Sequence, residues 1–287
     1  DEVIVSPWTM SASAMAILHV NAVPVFADVK KDTFCIDPDS VIKNITKKTR
    51  AIMTVDIFGQ SSDVDSLIKI AKKYNLKIIS DTAQAPGAKV GNKFAGTLTD
   101  IGGFSLNYHK HIHTGEGGVI VTNDDELAIR MKLLRNHGEA AVSELNKPKL
   151  NKIVGYNFRM GEIEAAIGIE QLKKLNYFVT SRQNAAKRLR KGLSNLDGII
   201  MPKISPKNTH VYYVFAMLLD TKKVKVHKSN IVRALKAEGI PAIRDKYVNV
   251  HLLPIFQKIK KTDFPWSYNK KKILYKKGIC PVAEELN

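Results

Sequence analysis

Two residues of opposite charge, Asp81 and Lys110, each stand close behind an apolar run of the sequence. Lysine is the side chain that forms Schiff bases, and it needs a lowered pKa to present a neutral amine. A carboxylate keeps a basic ring nitrogen protonated, because opposite charges in a low-dielectric site favour both ionised forms. Ser105, five positions before the lysine, could donate its hydroxyl to a phosphate. Together the three residue types describe a site for pyridoxal phosphate.

The residues that follow Asp81 suit a flat ligand. Small side chains at Ala83, Ala85, Gly87 and Ala88 would let such a ligand approach the backbone, and Gln84 lies about one helical turn after the acid. An isolated acid after a strand more often caps a helix, and an isolated lysine is more often exposed. Because Asp81, Gln84, Ser105 and Lys110 occur together, the sequence favours a ligand-binding site over these structural roles. The glycines of TGEGG (114–118) are interpreted as permitting a tight turn rather than binding a ligand.

The elements that must position these residues alternate along the first half of the chain. Short apolar runs predict strands, and the segment 61–75 predicts a helix, with Ser62 or Asp63 as N-cap and Asn75 as terminator. The predicted strands are Val3–Val5, Val23–Ala27, Ala51–Asp56, Leu76–Ser80, Gly102–Leu106 and Val119–Thr122. Such alternation predicts an α/β fold whose mostly parallel sheet is covered on both faces. Ligands bind at the carboxyl edge of such a sheet, where Asp81 and Lys110 would lie.

The second half of the chain has a different pattern of predicted helices and strands. A long helix is predicted from Gly161 to about Leu196, then a strand at 210–218 and a helix at 227–239 closed by glycine. The segment GIPAIR (239–244) could begin a further strand. We therefore predict a large cofactor-binding domain over 1–180 and a small α+β domain over 181–287.

The composition limits the class of protein. Of 287 residues 44% are hydrophobic, yet no apolar run approaches membrane-spanning length. Two distant cysteines, Cys35 and Cys280, predict a reduced, cytoplasmic protein. The net charge of +18 fits either nucleic acid or small anionic substrates. In the lysine-rich segment Lys258–Lys277, a solvated surface around a few aromatic anchors is the commoner arrangement, so nucleic acid is not the expected partner.

Three alternating histidines, His109, His111 and His113, would share one face of a strand and could suggest a metal site. No carboxylate or cysteine completes such a set. We expect no metal here, and expect these side chains to line a site entrance or to satisfy local hydrogen bonds.

Several motifs, in their order along the chain, resemble the sugar aminotransferases of the DegT/DnrJ/EryC1/StrS family. They are DEVIVSPWTMSASAMAIL, PVFADV, DTAQAPGA, FSLNYHKHIHTGEGG and GYNFRMGEIEAAIG. The resemblance implies a fold-type I enzyme with a three-layer α/β/α large domain and pyridoxal 5'-phosphate as cofactor. It also implies transfer of an amino group, usually from glutamate, to a nucleotide-linked ketosugar. The expected assembly is a homodimer with shared active sites.

The resemblance implies a role for each residue that matches a family motif. Lys110 resembles the lysine that bonds to the cofactor aldehyde, and Asp81 resembles the partner of the ring nitrogen. The other matching positions resemble residues that contact the rest of the cofactor: Gln84 near the phenolic oxygen, Ala83 on a ring face, Ser105 at the phosphate, and Asn157 at the phosphate of the neighbouring subunit's site.

Two other functions are compatible with this resemblance, and some positions differ from the family pattern. Family dehydratases have histidine in place of the lysine, so Lys110 favours transamination; a non-catalytic or regulatory protein of the same fold is the other alternative. Met10 stands where the family commonly has an aromatic residue, with Trp8 nearby. Residues of the predicted small domain, Tyr213 and Arg244 among them, match too loosely for roles to be assigned. The family pattern extends beyond both DEVIV and CPVAEELN, which predicts a sequence truncated at both ends.

Overall fold

The computed structural model describes residues 1–139, 153–260, 262–268 and 275–287, and its centre is a six-stranded sheet. The strands of this sheet are β1 (Glu2–Val5), β2 (Val23–Phe26), β3 (Thr49–Val55), β4 (Lys77–Asp81), β7 (Ile101–Ser105) and β8 (Gly118–Val121). Their order is β2-β1-β3-β4-β7-β8, with every pair parallel except the last. The predicted strands of the first half are thus present, and the sheet is mostly parallel as predicted.

Helices cover both faces of this sheet. Alternate residues of each strand point to opposite faces, so that Val3 and Val5 of β1 join one core and Ile4 joins the other. The first core includes the helix α1 (Ser11–His19), and the second includes α2 (Pro38–Asn44) and α3 (Val64–Tyr74). This gives the three layers expected of a parallel sheet buried on both faces.

The helix α3 begins and ends as its sequence predicts. The Asp63 side chain accepts a hydrogen bond from the Ser66 backbone N–H at 3.3 Å, which caps the first turn. Asn75 ends the helix in the left-handed conformation, with φ at +52°. Leu67 and Ala71 of the apolar stripe are buried against the sheet.

The described residues contain further strands and α-helices. They are the hairpin β5 (Lys89–Val90) and β6 (Lys93–Phe94), the pair β9 (Ile199–Ile200) and β10 (Leu218–Leu219), and the helices α4 (Asp125–Arg135), α5 (Glu162–Lys173), α6 (Leu175–Leu193), α7 (Lys228–Ala237), α8 (Pro254–Gln257) and α9 (Pro281–Leu286). The long helix predicted from residue 161 is two helices, α5 and α6, separated at Lys174. Since α6 runs through residue 180, the division into domains at that point stays a prediction.

The predicted strand at 210–218 is wrong except at its last residue. Its backbone instead crosses the loop after β3, where the Val211 N–H donates to the Gly59 carbonyl at 2.7 Å and the Val214 N–H donates to the Phe58 carbonyl at 3.2 Å. Tyr212 takes a left-handed φ of +51°, which a strand does not accommodate. We call residues 210–214 the crossing segment.

Two further predictions in the second half have opposite outcomes. The helix predicted at 227–239 is α7, followed by Gly239 at φ +83°. The strand suggested at 239–244 is wrong, because Ala242 also has a left-handed φ, at +58°, and the segment forms turns.

Residues near the end of the chain pack onto β2. The Tyr275 hydroxyl donates to the Pro24 carbonyl at 2.7 Å, and the Asp28 carboxylate accepts hydrogen bonds from the Val282 and Ala283 N–H groups at the start of α9. Within the described ranges, no helix combines the length and apolar character needed to cross a membrane. Of the lysine-rich segment 258–277, residues 261 and 269–274 lie outside the described residues.

Candidate active site

Asp81 is the last residue of β4, at the carboxyl edge of the sheet. Its Oδ2 accepts a hydrogen bond of 2.7 Å from the Ser13 hydroxyl, and its Oδ1 accepts one of 3.1 Å from the Ala83 N–H. Ser13 lies in the first turn of α1 and pairs with the buried Thr9 hydroxyl at 2.9 Å. Two donors and the positive end of a helix therefore orient this carboxylate.

Lys110 lies in the loop that follows β7, the strand next to β4. The Lys110 N–H donates to the Asn107 carbonyl at 2.9 Å, which closes a turn beneath the side chain. Burial lowers the pKa of the Lys110 amine below its ordinary value, and the charge of Asp81 partly opposes this shift. The structure thus brings Asp81 and Lys110 into one electrostatic site.

Gln84 is buried, and both ends of its amide are engaged. Its Oε1 accepts from the Phe58 N–H at 2.8 Å, and its Nε2 donates to the Tyr247 hydroxyl at 3.0 Å. One hydrogen of Nε2 remains for a further acceptor, since an amide nitrogen carries two. Burial raises the pKa of Tyr247 to about 12, and the negative charge of Asp81 adds to that shift. Tyr247 therefore stays a neutral phenol beside the site.

The other predicted site residues fall into two groups. Ala83 directly follows the Asp81 turn, and Ser105 ends β7 two residues after Gly103, which lies opposite Asp81 in the sheet. The Ser105 hydroxyl accepts from the Asn107 N–H at 3.3 Å. Asn157 is not brought to this group: it is exposed and its backbone bridges to Asn136 after α4.

A second carboxylate, Asp56, lies at the end of β3 and was not singled out from the sequence. It is buried, and it accepts from the Thr82 hydroxyl at 2.8 Å and from the Ser62 N–H at 3.1 Å. Burial raises the pKa of Asp56 to about 6 despite these hydrogen bonds. Its position directly after an apolar strand, the same signal that marked Asp81, could have indicated it.

The three alternating histidines have separate surroundings. His111 is buried and donates from Nε2 to the Val211 carbonyl at 2.8 Å, and burial lowers the pKa of its ring to about 4. His113 accepts through Nδ1 from the Gly115 N–H at 3.4 Å, and His109 is exposed against the Tyr108 ring. In the part of the chain that the structure describes, no three histidine, cysteine or acidic side chains are grouped to bind a metal.

Two functional candidates, Ser13 and Tyr213, have no role in the sequence interpretation. Ser13 lies 68 residues before its partner Asp81 in the sequence. The Tyr213 ring lies 4.8 Å from Lys110 Nζ, although these two residues are even farther apart in the sequence. The run SASA at 11–14, which begins α1 after the short loop that follows β1, offers small and hydroxyl-bearing residues and was the available signal for Ser13. Nothing local in the sequence indicates Tyr213. Met10, which stands where the family commonly has an aromatic residue, is half exposed at the start of α1, and the nearby Trp8 is buried against Tyr247.

Comparison with known proteins gives the context of this site. The model of the DegT/DnrJ/EryC1/StrS aminotransferase family matches residues 1–280. The spore coat polysaccharide biosynthesis protein SpsC of Bacillus subtilis is 33% identical, over 94% of this chain and 72% of that protein. A GDP-perosamine synthase of Caulobacter vibrioides is 34% identical, over 92% of this chain and 70% of that protein.

A solved structure shares the fold. The aminotransferase from Psychrobacter cryohalolentis superposes with a TM-score of 0.88 at 30% identity, over 100% of this chain and 73% of that one. This likeness confirms the α/β aminotransferase fold that the motifs predicted.

Proposed function

The chain belongs to the DegT/DnrJ/EryC1/StrS aminotransferase family, and on that premise we propose that it transfers an amino group from L-glutamate to a nucleotide-linked keto-deoxysugar. The product is an aminosugar for polysaccharide or glycan biosynthesis. The names of its relatives, a spore coat polysaccharide biosynthesis protein and a GDP-perosamine synthase, support this substrate class. The unpaired, buried Cys35 and Cys280 support a reducing, cytoplasmic location.

The residues of the site fit pyridoxal phosphate. Lys110 offers a half-buried amine of lowered pKa, and Asp81 offers an oriented carboxylate whose charge reaches that amine. These residues would hold the aldehyde carbon and the ring nitrogen, with Ser105 at the phosphate and Gln84 and Ala83 beside the ring. When bound, the cofactor supplies an aldehyde that takes up the amino group and a protonated ring that accepts electrons.

Lys110 moves the protons in both half-reactions. In the first, its Nζ would take the proton from the α-carbon of the amino donor and deliver it to the carbon that was the aldehyde carbon. In the second, it would take a proton from that carbon and deliver it to the sugar carbon that receives the amino group. Both tasks need an amine that exchanges protons near neutral pH, which the burial of Lys110 promotes by lowering its pKa. Asp81 holds a negative charge at a fixed position, where Ser13 and the Ala83 N–H keep it oriented.

An exposed apolar surface supports a homodimer. The helix α5 has no buried residue, and the large apolar side chains along 154–177 face solvent. They are Val154, Tyr156, Phe158, Met160, Ile163, Ile167, Ile169, Leu172 and Tyr177, which together we call the 154–177 surface. Exposed apolar side chains of this size and number mark an interaction site. Asn157 lies within it, so a second copy seated here would receive Asn157 from its neighbour, as the resemblance implies.

The observation that carries the proposal is the pairing of Asp81 with a half-buried lysine across adjacent strand ends. The test is the absorbance spectrum of purified protein supplied with pyridoxal phosphate, followed during addition of L-glutamate. A cofactor band that bleaches with glutamate is expected, followed by amination of a nucleotide-linked ketosugar from a panel.

The matched variants are Lys110→Ala and Lys69→Ala, the latter an exposed lysine on α3. Loss of a positioned proton-transfer group reduces turnover by about 10²–10⁴-fold, so Lys110→Ala should lose turnover by at least that factor while Lys69→Ala keeps it. Wild-type transamination by Lys110→Ala would refute the assignment.

A further inference from the structure

The phenol ring of Tyr213 faces the reacting lysine. The ring centroid lies 4.8 Å from Lys110 Nζ, within the range over which an ammonium is attracted to the negative face of an aromatic ring. Tyr213 belongs to the crossing segment, and the resemblance assigned it no role. A ring at this distance acts on the charged amine and has little effect on the neutral one.

We propose that Tyr213 is a positioning residue whose ring face receives the ammonium of Lys110 while that lysine carries a proton. The inference rests on the proposed function, in which Lys110 takes up and returns protons. The ring would then determine the position of the Lys110 ammonium between taking up a proton and releasing it. It would also raise the proton affinity of that amine.

Two neighbouring loops hold the crossing segment, and with it the Tyr213 ring, in this position. The Val211 N–H donates to the Gly59 carbonyl at 2.7 Å, and the Val211 carbonyl accepts from His111 Nε2 at 2.8 Å. A Cβ on Gly59 would lie 2.8 Å from the Tyr212 N and 2.9 Å from the Tyr213 N, so the backbone can pass this closely only over glycine. The crossing segment is therefore attached to the loop after β3 on one side and to the Lys110 loop on the other.

Charged groups near the ring also act on the Lys110 amine and on the Tyr213 phenol. Asp81 favours the ammonium, whereas burial disfavours it. Arg182, whose Nη1 donates to the Tyr212 carbonyl at 3.1 Å, and Arg244 both act on the Tyr213 phenol, and the neighbouring His111 ring is neutral at physiological pH. Burial raises the pKa of Tyr213 above its ordinary value, so the residue stays a neutral phenol. Its contribution to Lys110 comes from the ring face and not from a phenolate charge.

The proposal makes opposite predictions for two variants. Tyr213→Phe keeps the ring face and should leave the proton affinity of Lys110 unchanged. Tyr213→Leu keeps an apolar side chain over the amine but removes the ring electrons, so the proton affinity should fall about threefold, or about half a pKa unit. A threefold lower kcat with unchanged KM should accompany the leucine variant alone.

The measurement is made on cofactor-free protein, so that its result is independent of transaminase activity. Trace acetylation across a pH series, read by mass spectrometry of the peptide that contains Lys110, reports the titration of that one amine. Phe94→Leu is the matched control, because it removes a ring that lies 5.0 Å from the Lys89 Nζ at the surface. It should leave the Lys110 titration unchanged.

A lower Lys110 pKa in Tyr213→Leu, with Tyr213→Phe at the wild-type value, supports the proposal even if no ketosugar is aminated. An unchanged or higher pKa in Tyr213→Leu overturns it, and so does an equal decrease in Tyr213→Phe. Circular dichroism checks that the leucine variant is folded. If it is not, Tyr213→Met, which also lacks a ring, replaces it in the same comparison with the same expected and contradicting outcomes.

Discussion

Two carboxylates at neighbouring strand ends show how burial separates residues with the same local sequence signal. Asp81 ends β4 and accepts from Ser13, whereas Asp56 follows β3 and accepts from Thr82 and Ser62. Asp81 is partly open, and Asp56 is 1% exposed. An acid after an apolar strand could therefore be predicted at both places. Which of them faces a ligand depends on the layers above the sheet, which no local pattern encodes.

Asp56 predicts a specific pH dependence of stability. The folded protein holds the Asp56 proton up to about pH 6, whereas an unfolded chain releases it near the ordinary pKa of 3.8. The native state thus binds more protons in that window, and its stability falls as the pH rises through it. The contribution of ionised Asp56 at pH 7 is a destabilisation of about 3 kcal/mol.

Asp56→Asn removes this titration while keeping the shape of the side chain. The free energy of unfolding of the variant, relative to wild type, should therefore increase by about 2.5 kcal/mol between pH 4 and pH 7. Urea unfolding followed by circular dichroism at half-unit pH steps measures it. Above about pH 6.5 the difference should be constant, which serves as the internal control; a difference independent of pH throughout would contradict the assigned pKa.

At the scale of elements, the front half of the chain could be predicted and the crossing segment could not. Apolar runs, an N-cap and an asparagine terminator locate the sheet and α3, because these signals act within a few residues. Residues 210–218 read as a strand because they are rich in β-branched and aromatic side chains. Their backbone partners are instead Gly59 and Phe58, in a loop that follows β3 far earlier in the chain.

Gly59 predicts a backbone effect that a second glycine isolates. Gly59→Ala places a Cβ within 3 Å of two backbone nitrogens at a φ of +114°, whereas Gly239→Ala meets nothing within 4 Å at φ +83°. Both variants bear the left-handed strain of about 1 kcal/mol, and Gly59→Ala adds a steric conflict that should bring its loss to about 3 kcal/mol. Urea unfolding of both variants measures the difference.

Activity distinguishes the same two variants. Because the crossing segment carries Tyr213 to Lys110, Gly59→Ala should also lower kcat, and Gly239→Ala should not. Equal losses of stability and activity in the two would mean that the close approach at Gly59 does not position the segment.

At the scale of the whole molecule, the 154–177 surface is the feature that the fold of one chain does not explain. A helix without a buried residue is not stabilised by its own chain alone, since most helical stability in proteins comes from packing an apolar face. The sequence did not predict this exposure. Its apolar periodicity looks the same whether the helix packs inside one chain or against another. Asn157, the one predicted site residue that lies apart from Lys110, is on this surface.

The proposed homodimer makes Ile163, 75% exposed on α5, a sensitive position. Ile163→Glu would bury a charge between the subunits at a cost of about 3 kcal/mol, which weakens dimerisation by about 10²-fold. Val226→Glu, at a 54% exposed apolar residue that is not part of this surface, is the matched control and should leave the dimer intact. Sedimentation equilibrium over a concentration series measures both. A monomeric wild type, or a dimer insensitive to Ile163→Glu, would contradict the proposal.

The attachment of residues 275–283 to β2 bears on how the protein is made. β2 is an edge strand of the sheet, and edge strands offer free backbone groups to other chains. The residues that contact it, Tyr275 at the Pro24 carbonyl and α9 at Asp28, leave the ribosome about 250 residues after it does. During that interval Pro24, which has no N–H to donate, interrupts the open edge. The open edge of β2 is thus protected against aggregation by one imino acid until α9 docks.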